Sequence, residues 1–358
     1  MIVKTRTLQN GNLGEAKQEL LGVPPAGLTI PEASSILKKM PSQTSLTTSA
    51  AEKIQALIDK VGEVFVGKPE LVRLTVATLI ARGHLLIEDV PGIGKSLLGI
   101  SLAHAVDVSF RRIQFTNDLL PSDILGLSVF NQRDGSFEFK PGPIFSHVVL
   151  ADEINRSTPK TQSALLEAMN DLQVTIDGKT HALPAPFLVL GTQNPVEYHG
   201  TFPLPEAQLD RFLMRIQIGY PGPEDEKRIL REKDVAAQLK AQKPALRGDE
   251  VLALQDLADA VRVDESLLDY IVRIAEATRR SKTVKLGLSP RGALALCRAA
   301  RAHALVLGRD YCEPDDIKAV AVPVMSHRML FDTSLFGLAR IAESDETVRG
   351  LMRTVPAP

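Results

Sequence analysis

The chain has 358 residues, 44% apolar and 24% charged, with a formal net charge of −1 and two cysteines. That length accommodates two domains with ordinary cores, and the near-neutral charge gives no global attraction to nucleic acid or an anionic membrane. Cys297 and Cys312 lack metal-ligand spacing, Met1 to Leu8 lacks the apolar core of a signal peptide, and no apolar run is long enough to span a bilayer; a zinc site, secretion and membrane insertion are therefore not expected, and the expected location is the cytoplasm.

Residues 1–48 are weakly patterned. Pro24, Pro25, Pro31, Pro41 and the Ser/Thr-rich run from Ser42 to Ser49 predict an extended or partly disordered arm, with one short helix possible over Gly14 to Leu21. From Ala50, the apolar positions Ile54, Leu57, Ile58 and Val61 recur at helical spacing. Val64-Phe65-Val66-Gly67 interrupts that pattern before a second helix over Pro69 to Ala81. Leu85, Leu86 and Ile87 form a short apolar run suited to a parallel strand buried on both faces. It breaks into Asp89-Val90-Pro91-Gly92-Ile93-Gly94, and Lys95-Ser96-Leu97 opens a helix to about Val106.

Further strands are expected over Val108 to Phe115, His147 to Ala151, Phe187 to Thr192 and Phe212 to Ile218. Between the first two lies a Gly/Pro-punctuated insertion, Thr116 to Phe145, with Asp134-Gly135 as a turn signal. A helix over Thr158 to Asp171 precedes a β-hairpin over Val174 to Leu183, turned at Asp177-Gly178. Strands alternating with helices predict a parallel α/β sheet. After Tyr220-Pro-Gly-Pro223 the pattern is helical: Glu224 to Lys240, Asp249 to Val261, Glu265 to Arg280, Pro290 to Leu307 and Pro314 to Val322, with no strand evident. The expected division is an arm at 1–48, an α/β domain at 49–222 and a helical domain at 223–358 ending in a frayed tail.

The loop before Lys95 is built as a phosphate cradle. Gly92 and Gly94 let backbone N–H groups converge on an anion, and a helix N-terminus follows. Lys95 would reach the β- and γ-phosphates of ATP and the Ser96 hydroxyl would take a Mg²⁺ position. One departure stands out: the usual pattern has Gly six residues before the Lys, where this chain has Asp89. Asp152-Glu153 end a buried strand, at the sheet edge where ligands bind; Asp152 would hold the Mg²⁺ water shell and Glu153 would activate the attacking water. Asn194, ending the next strand on that edge, is placed to bond the γ-phosphate or the water, although Asn194-Pro195 reads equally as a turn. Arg211, in Leu209-Asp-Arg-Phe212, is an arginine-finger candidate or else half of a surface ion pair with Asp210 or Glu206. Arg291, in Ser289-Pro-Arg291, opposes the helix dipole at a first turn, which suits a phosphate grip, or it is simply solvated.

In this order these residues resemble Walker A, Walker B, sensor 1, arginine finger and sensor 2 of an AAA+ ATPase. Val90-Pro-Gly-Ile-Gly-Lys-Ser96, Asp152-Glu-Ile-Asn-Arg156, Gln193-Asn-Pro195 and Phe202-Pro-Leu-Pro-Glu-Ala-Gln-Leu-Asp-Arg-Phe212 are closer still to the MoxR family, in the helix-2-insert clade that includes magnesium chelatase ATPase subunits. The resemblance spans about Val61 to Ala321 and leaves out residues 1–48. It implies a P-loop core with a helical lid, a hexameric ring, and an insert (Thr116 to Phe145) and hairpin (Val174 to Leu183) lining the ring's face or pore. It also implies Val66 and Gly67 beside the adenine, and a partner with a von Willebrand factor A domain, often in metal-cofactor insertion. Arg156 ranks behind Arg211 as a residue acting on a neighbour, and the subunit served by Arg291 is left open.

Three classes of function follow: a chaperone-like remodeller of a partner complex, a nucleic-acid motor of the same clade, and an ATP-dependent assembly switch with little turnover. Near-neutral charge and a pore hairpin whose only basic residue besides His181 is Lys179 disfavour the second. An intact Glu153 disfavours the third, since a pure binder needs no general base.

Overall fold

The computed structural model describes residues 43–133, 135–195, 200–231 and 234–358. Of the arm expected at 1–48, residues 1–42 with their possible short helix lie outside them, as does Asp134 of the Asp-Gly turn; residues 43–48, expected to be extended, instead belong to a helix that begins at Gln43. The chain divides into a unit Met1–Leu46 and a unit Thr47–Pro358, and the following concerns the second.

Helices α1 (Gln43–Val64) and α2 (Pro69–Ile80) lead into a five-stranded sheet. Its strands are β1 (Leu85–Glu88), β2 (Phe110–Gln114), β5 (Val148–Asp152), β8 (Leu188–Gln193) and β9 (Met214–Ile216), in the order β2-β5-β8-β1-β9 and parallel throughout. Successive residues of the inner strands face two separate cores. Leu85, Ile87, Val148, Leu150, Leu188 and Leu190 join one, while Leu86, Val149, Ala151 and Val189 join the other. Both faces being covered explains why these strands read as unbroken apolar runs rather than alternating ones.

Helix α3 (Lys95–Ala105) follows the phosphate loop. The insertion holds α4 (Pro121–Leu125) and the hairpin of β3 (Gly126–Asn131) with β4 (Ser136–Pro141). Helix α5 (Pro159–Asp171) precedes the second hairpin, β6 (Gln173–Ile176) with β7 (Lys179–Ala182). His181 stacks on Phe139 with ring centroids 4.1 Å apart, so the two hairpins touch. A short helix, α6 (Glu206–Leu209), leads to β9.

After β9 come α7 (Pro223–Arg231), α8 (Val235–Ala241), α9 (Gly248–Asp259), α10 (Glu265–Arg280), α11 (Pro290–Val306), α12 (Pro314–Met325) and α13 (Gly337–Thr354). The single helix expected over Glu224 to Lys240 is two, the second capped by Asp234, whose carboxylate accepts from Ala237 N. Two strands appear where none was evident, β10 (Val284–Leu286) pairing with β11 (Leu330–Phe331). At three and two residues they are too short to show alternation. The expected frayed tail is also corrected in part: α13 runs to Thr354 and Val355 is buried in the core. Among the described residues no helix is long and apolar enough to cross a membrane.

His84, just before β1, ties the sheet to α5. Its Nε2–H donates to the Met169 carbonyl (3.1 Å) and its Nδ1 accepts from Val189 N–H (3.1 Å), which requires the neutral ring. Burial pushes its pKa down to about 4 from an ordinary 6.5. Between those values the unfolded chain binds a proton that the folded one refuses, so stability present above pH 6.5 is lost as pH falls toward 4. The loss from this residue is ~3 kcal/mol. Buried His327, also held well below its ordinary pKa by burial and adjacent Arg328, acts in the same direction. Urea midpoints should therefore fall between pH 7 and 5, and His84→Gln should flatten that dependence.

Candidate active site

The phosphate loop joins β1 to α3. Gly92 and Gly94 have φ of +86° and +92°, a left-handed backbone that glycine adopts without Cβ strain. Gly94 is the residue that caps α3, so the loop's N–H groups and the helix terminus share one concavity. Lys95 is buried within it, its Nζ donating to the Asp89 carbonyl at 2.7 Å. Burial lowers the Lys95 pKa, and Asp152, Asp89 and Glu153 oppose that by their charge. The ammonium and the carboxylates ending β5 thus lie in one electrostatic neighbourhood.

Asp89 has work that glycine could not do. Its Oδ1 accepts from Val90 N (2.8 Å) and its Oδ2 from Gly219 N (2.7 Å), tying the loop to the chain leaving β9. Phe65 lies against the loop as well, 3.4 Å from where a Gly94 Cβ would stand. That contact brings the Val66-Gly67 segment alongside the cradle. Gly67, at φ +86°, lies against Asp225 of α7, and a Cβ there would come within 2.5 Å of the carboxylate.

Thr192 holds both acidic residues. Its hydroxyl donates to Asp152 Oδ1 (2.6 Å) and accepts from Glu153 N (2.8 Å). The other oxygen of Asp152 accepts from Arg112 Nη2 (2.6 Å) and Nε (3.0 Å). Glu153 has a left-handed backbone, φ 57°, that turns it off the strand. Its Oε2 takes Gln114 Nε2 at 2.8 Å and pairs with Arg156 Nε at 3.1 Å. Arg156 therefore contacts its own chain's Glu153. Among the described residues no cluster of three or more His, Cys, Asp or Glu is placed to hold a metal. The oxygen donors Ser96 and Asp152, beside a phosphate cradle, nevertheless suit a hard Mg²⁺ that keeps most of its waters.

Asn194 is buried just past the end of β8. Arg211 lies elsewhere. It precedes β9, Leu213 N donates to the His84 carbonyl at 2.7 Å, and Met214 pairs with Leu85 at the start of β1. Because the strands are parallel, Arg211 stands at their N-terminal edge and the cradle at their C-terminal edge. Four-residue β1 alone separates those edges by ~13 Å. Arg211 makes no ion pair with Asp210 or Glu206, and its enclosed Nη1 has no hydrogen-bond partner among the described residues. Asp210 instead pairs with Arg291 (3.6 Å) and Arg328 (2.9 Å). Arg291 is 67% exposed at the start of α11, where Ser289 accepts from Gly292 N as the helix cap.

Gln114, Arg112 and Thr192 carry no signal in the sequence, since single polar residues on strands are common. Adjacency to Asp152-Glu153 in the sheet order is what singles them out.

Residues 84–214 match the model of the ATPase family associated with various cellular activities (AAA), and residues 276–348 match an AAA lid domain. The chain is 40% identical to chaperone MoxR1 of Mycobacterium tuberculosis, over 85% of this chain and 82% of that one. The chain belongs to the MoxR family of AAA+ ATPases. It is also 46% identical to the uncharacterized protein YeaC of Bacillus subtilis, over 84% of this chain and 93% of that protein. A crystal structure of a protein from Cytophaga hutchinsonii described as a candidate ATPase superposes with a TM-score of 0.78 at 38% identity, covering 91% of this chain and 99% of that one. As a MoxR-type protein the chain is a nucleotide-binding ATPase with a chaperone-like role, an α/β P-loop core and a helical lid.

Proposed function

We propose that this ATPase works as a ring, hexameric by family likeness, in which each active site is shared by two subunits. The opposite-edge placement of Arg211 and the Lys95 cradle supports this most directly, since one chain cannot bring both to one γ-phosphate. In this reading residues 49–222 form the nucleotide-binding domain and 223–358 the lid. The loop from Pro91 to Gly94 wraps the phosphates of ATP, and Lys95 neutralises them. Ser96 and Asp152, the latter through water, would hold Mg²⁺, which would supply charge neutralisation to the phosphates. Glu153 takes a proton from the attacking water, Asn194 orients that water or the γ-phosphate, Leu97 closes the start of α3, and Val66 and Gly67 flank the adenine.

Arg211 reaches the neighbour's γ-phosphate. Arg291, joined to the same Asp210, acts with it from the same subunit. The work done by turnover is remodelling of a partner complex together with a protein carrying a von Willebrand factor A domain, in the manner of metal-cofactor insertion, at a cytoplasmic location. Finding a von Willebrand A-type reading frame beside this gene would favour that assignment over a nucleic-acid motor or an assembly switch.

The test is to measure specific ATPase activity against protein concentration. It should rise as rings assemble, and Lys95→Ala should lose nucleotide binding because the one ammonium in the cradle is gone. Full activity in a dilute monomer rules out the shared site. Undiminished nucleotide affinity in Lys95→Ala removes the cradle assignment.

A further inference from the structure

Arg328 follows α12 in the lid, yet most of its hydrogen bonds go to the core. Its side chain is only 3% exposed. Nε donates to Asp210 Oδ1 (2.9 Å), Nη1 to the Leu213 carbonyl (2.9 Å), and Nη2 to the carbonyls of Phe212 (2.5 Å) and Asp210 (3.3 Å). Nη1 also reaches the Val324 carbonyl of α12. Adjacent His327 places Nε2 3.0 Å from the Phe212 carbonyl. The stem of Arg328 lies against Gly292, next to Arg291: a Cβ at Gly292 would come within 3.3 Å of Arg328 Cδ. A planar five-donor guanidinium is the one side chain able to satisfy a carboxylate and several carbonyls at once.

The segment so gripped, Asp210 to Leu213, is the one that carries Arg211. Every bond from Arg328 goes to a neighbour of Arg211 or to the lid, and none to Arg211 itself. We propose that Arg328 is a positioning residue for hydrolysis in the adjacent subunit, locking the lid to the Asp210–Leu213 segment so that lid position sets the delivery of Arg211. A buried ion pair of this kind is expensive to break, because removing one partner leaves the other charge uncompensated. The coupling is accordingly stiff. A lid that shifts carries the segment with it, and a displacement of about 1 Å at the reacting groups costs on the order of 10²-fold in rate.

This assignment rests on the shared-site reading, and subunit mixing separates the two. Arg211→Ala, Lys95→Ala and Arg328→Met rings are assayed alone and as pairwise mixtures, with fluorescent ATP binding measured on each. Arg328→Met should lose about 10²-fold in turnover while binding ATP as before. Mixed with Lys95→Ala it should regain activity, because its intact cradle meets an intact Arg328 and Arg211 next door. Mixed with Arg211→Ala it should regain none, because every subunit then delivers a faulty arginine.

The inverse pattern, rescue by Arg211→Ala and none by Lys95→Ala, overturns the proposal by placing Arg328 at its own subunit's site. If Arg211→Ala and Lys95→Ala fail to complement each other, the shared site falls and this assignment with it. If those two complement but Arg328→Met and Lys95→Ala do not, the positioning role alone is refuted. Should Arg328→Met not fold, Asp210→Asn removes the same ion pair with little change of shape and must fall in the Arg211 group. Arg328→Lys, with the charge but not the fork, should retain an intermediate rate.

Discussion

Glu153→Gln is expected to bind ATP as the parent protein does and to turn it over 10²- to 10⁴-fold more slowly, roughly the contribution of a positioned general base. The amide oxygen can still accept from Gln114, so the side chain keeps its place. What it loses is the ability to take a proton from water, along with the ion pair to Arg156. Asp152 is undisturbed, being held independently by Arg112 and by the Thr192 hydroxyl, so Mg²⁺-dependent binding should persist. Single-turnover hydrolysis beside fluorescent-nucleotide titration separates the two effects. Parental turnover in Glu153→Gln together with an inactive Asp152→Asn would mean that the two roles are exchanged.

Arg211→Ala should cost on the order of 10³-fold in turnover, the usual consequence of removing an arginine finger. Nucleotide binding should not change, because Arg211 lies at the sheet edge opposite the cradle. Mixed with Lys95→Ala subunits, the variant should recover part of the parental rate at every boundary where an intact Arg211 faces an intact Lys95. Recovery is readable because the starting rate is so low. If Arg211→Ala turns over at the parental rate, Arg211 is not the finger. The structure offers no ion pair with Asp210 or Glu206 to account for it instead, since Asp210 is taken by Arg291 and Arg328.

What the sequence determined by itself was whatever depends on local chemistry. The phosphate cradle was legible because Gly92, Gly94, Lys95 and Ser96 are consecutive or nearly so, and their backbone and side-chain demands act within a few residues. The inner strands were legible because burial on both faces demands unbroken apolar runs, and the adjacent carboxylates Asp152 and Glu153 declared themselves at a strand end. Only the tertiary structure decided the rest. Asp89 looked like a lost glycine until Gly219, distant in sequence, appeared as its hydrogen-bond donor. The support of Asp152 and Glu153 by Arg112, Gln114 and Thr192 comes from the sheet order, which sets β2 and β8 on either side of β5. Arg211 and Arg291 were motif positions with a bland alternative each, and the pairing of Asp210, the residue before Arg211, with Arg291 and Arg328 required the lid to pack against the core. Arg328 carried no motif at all. Its part is defined by carbonyls more than a hundred residues away, and a backbone carbonyl, common to every residue type, leaves no trace in the sequence that supplies it.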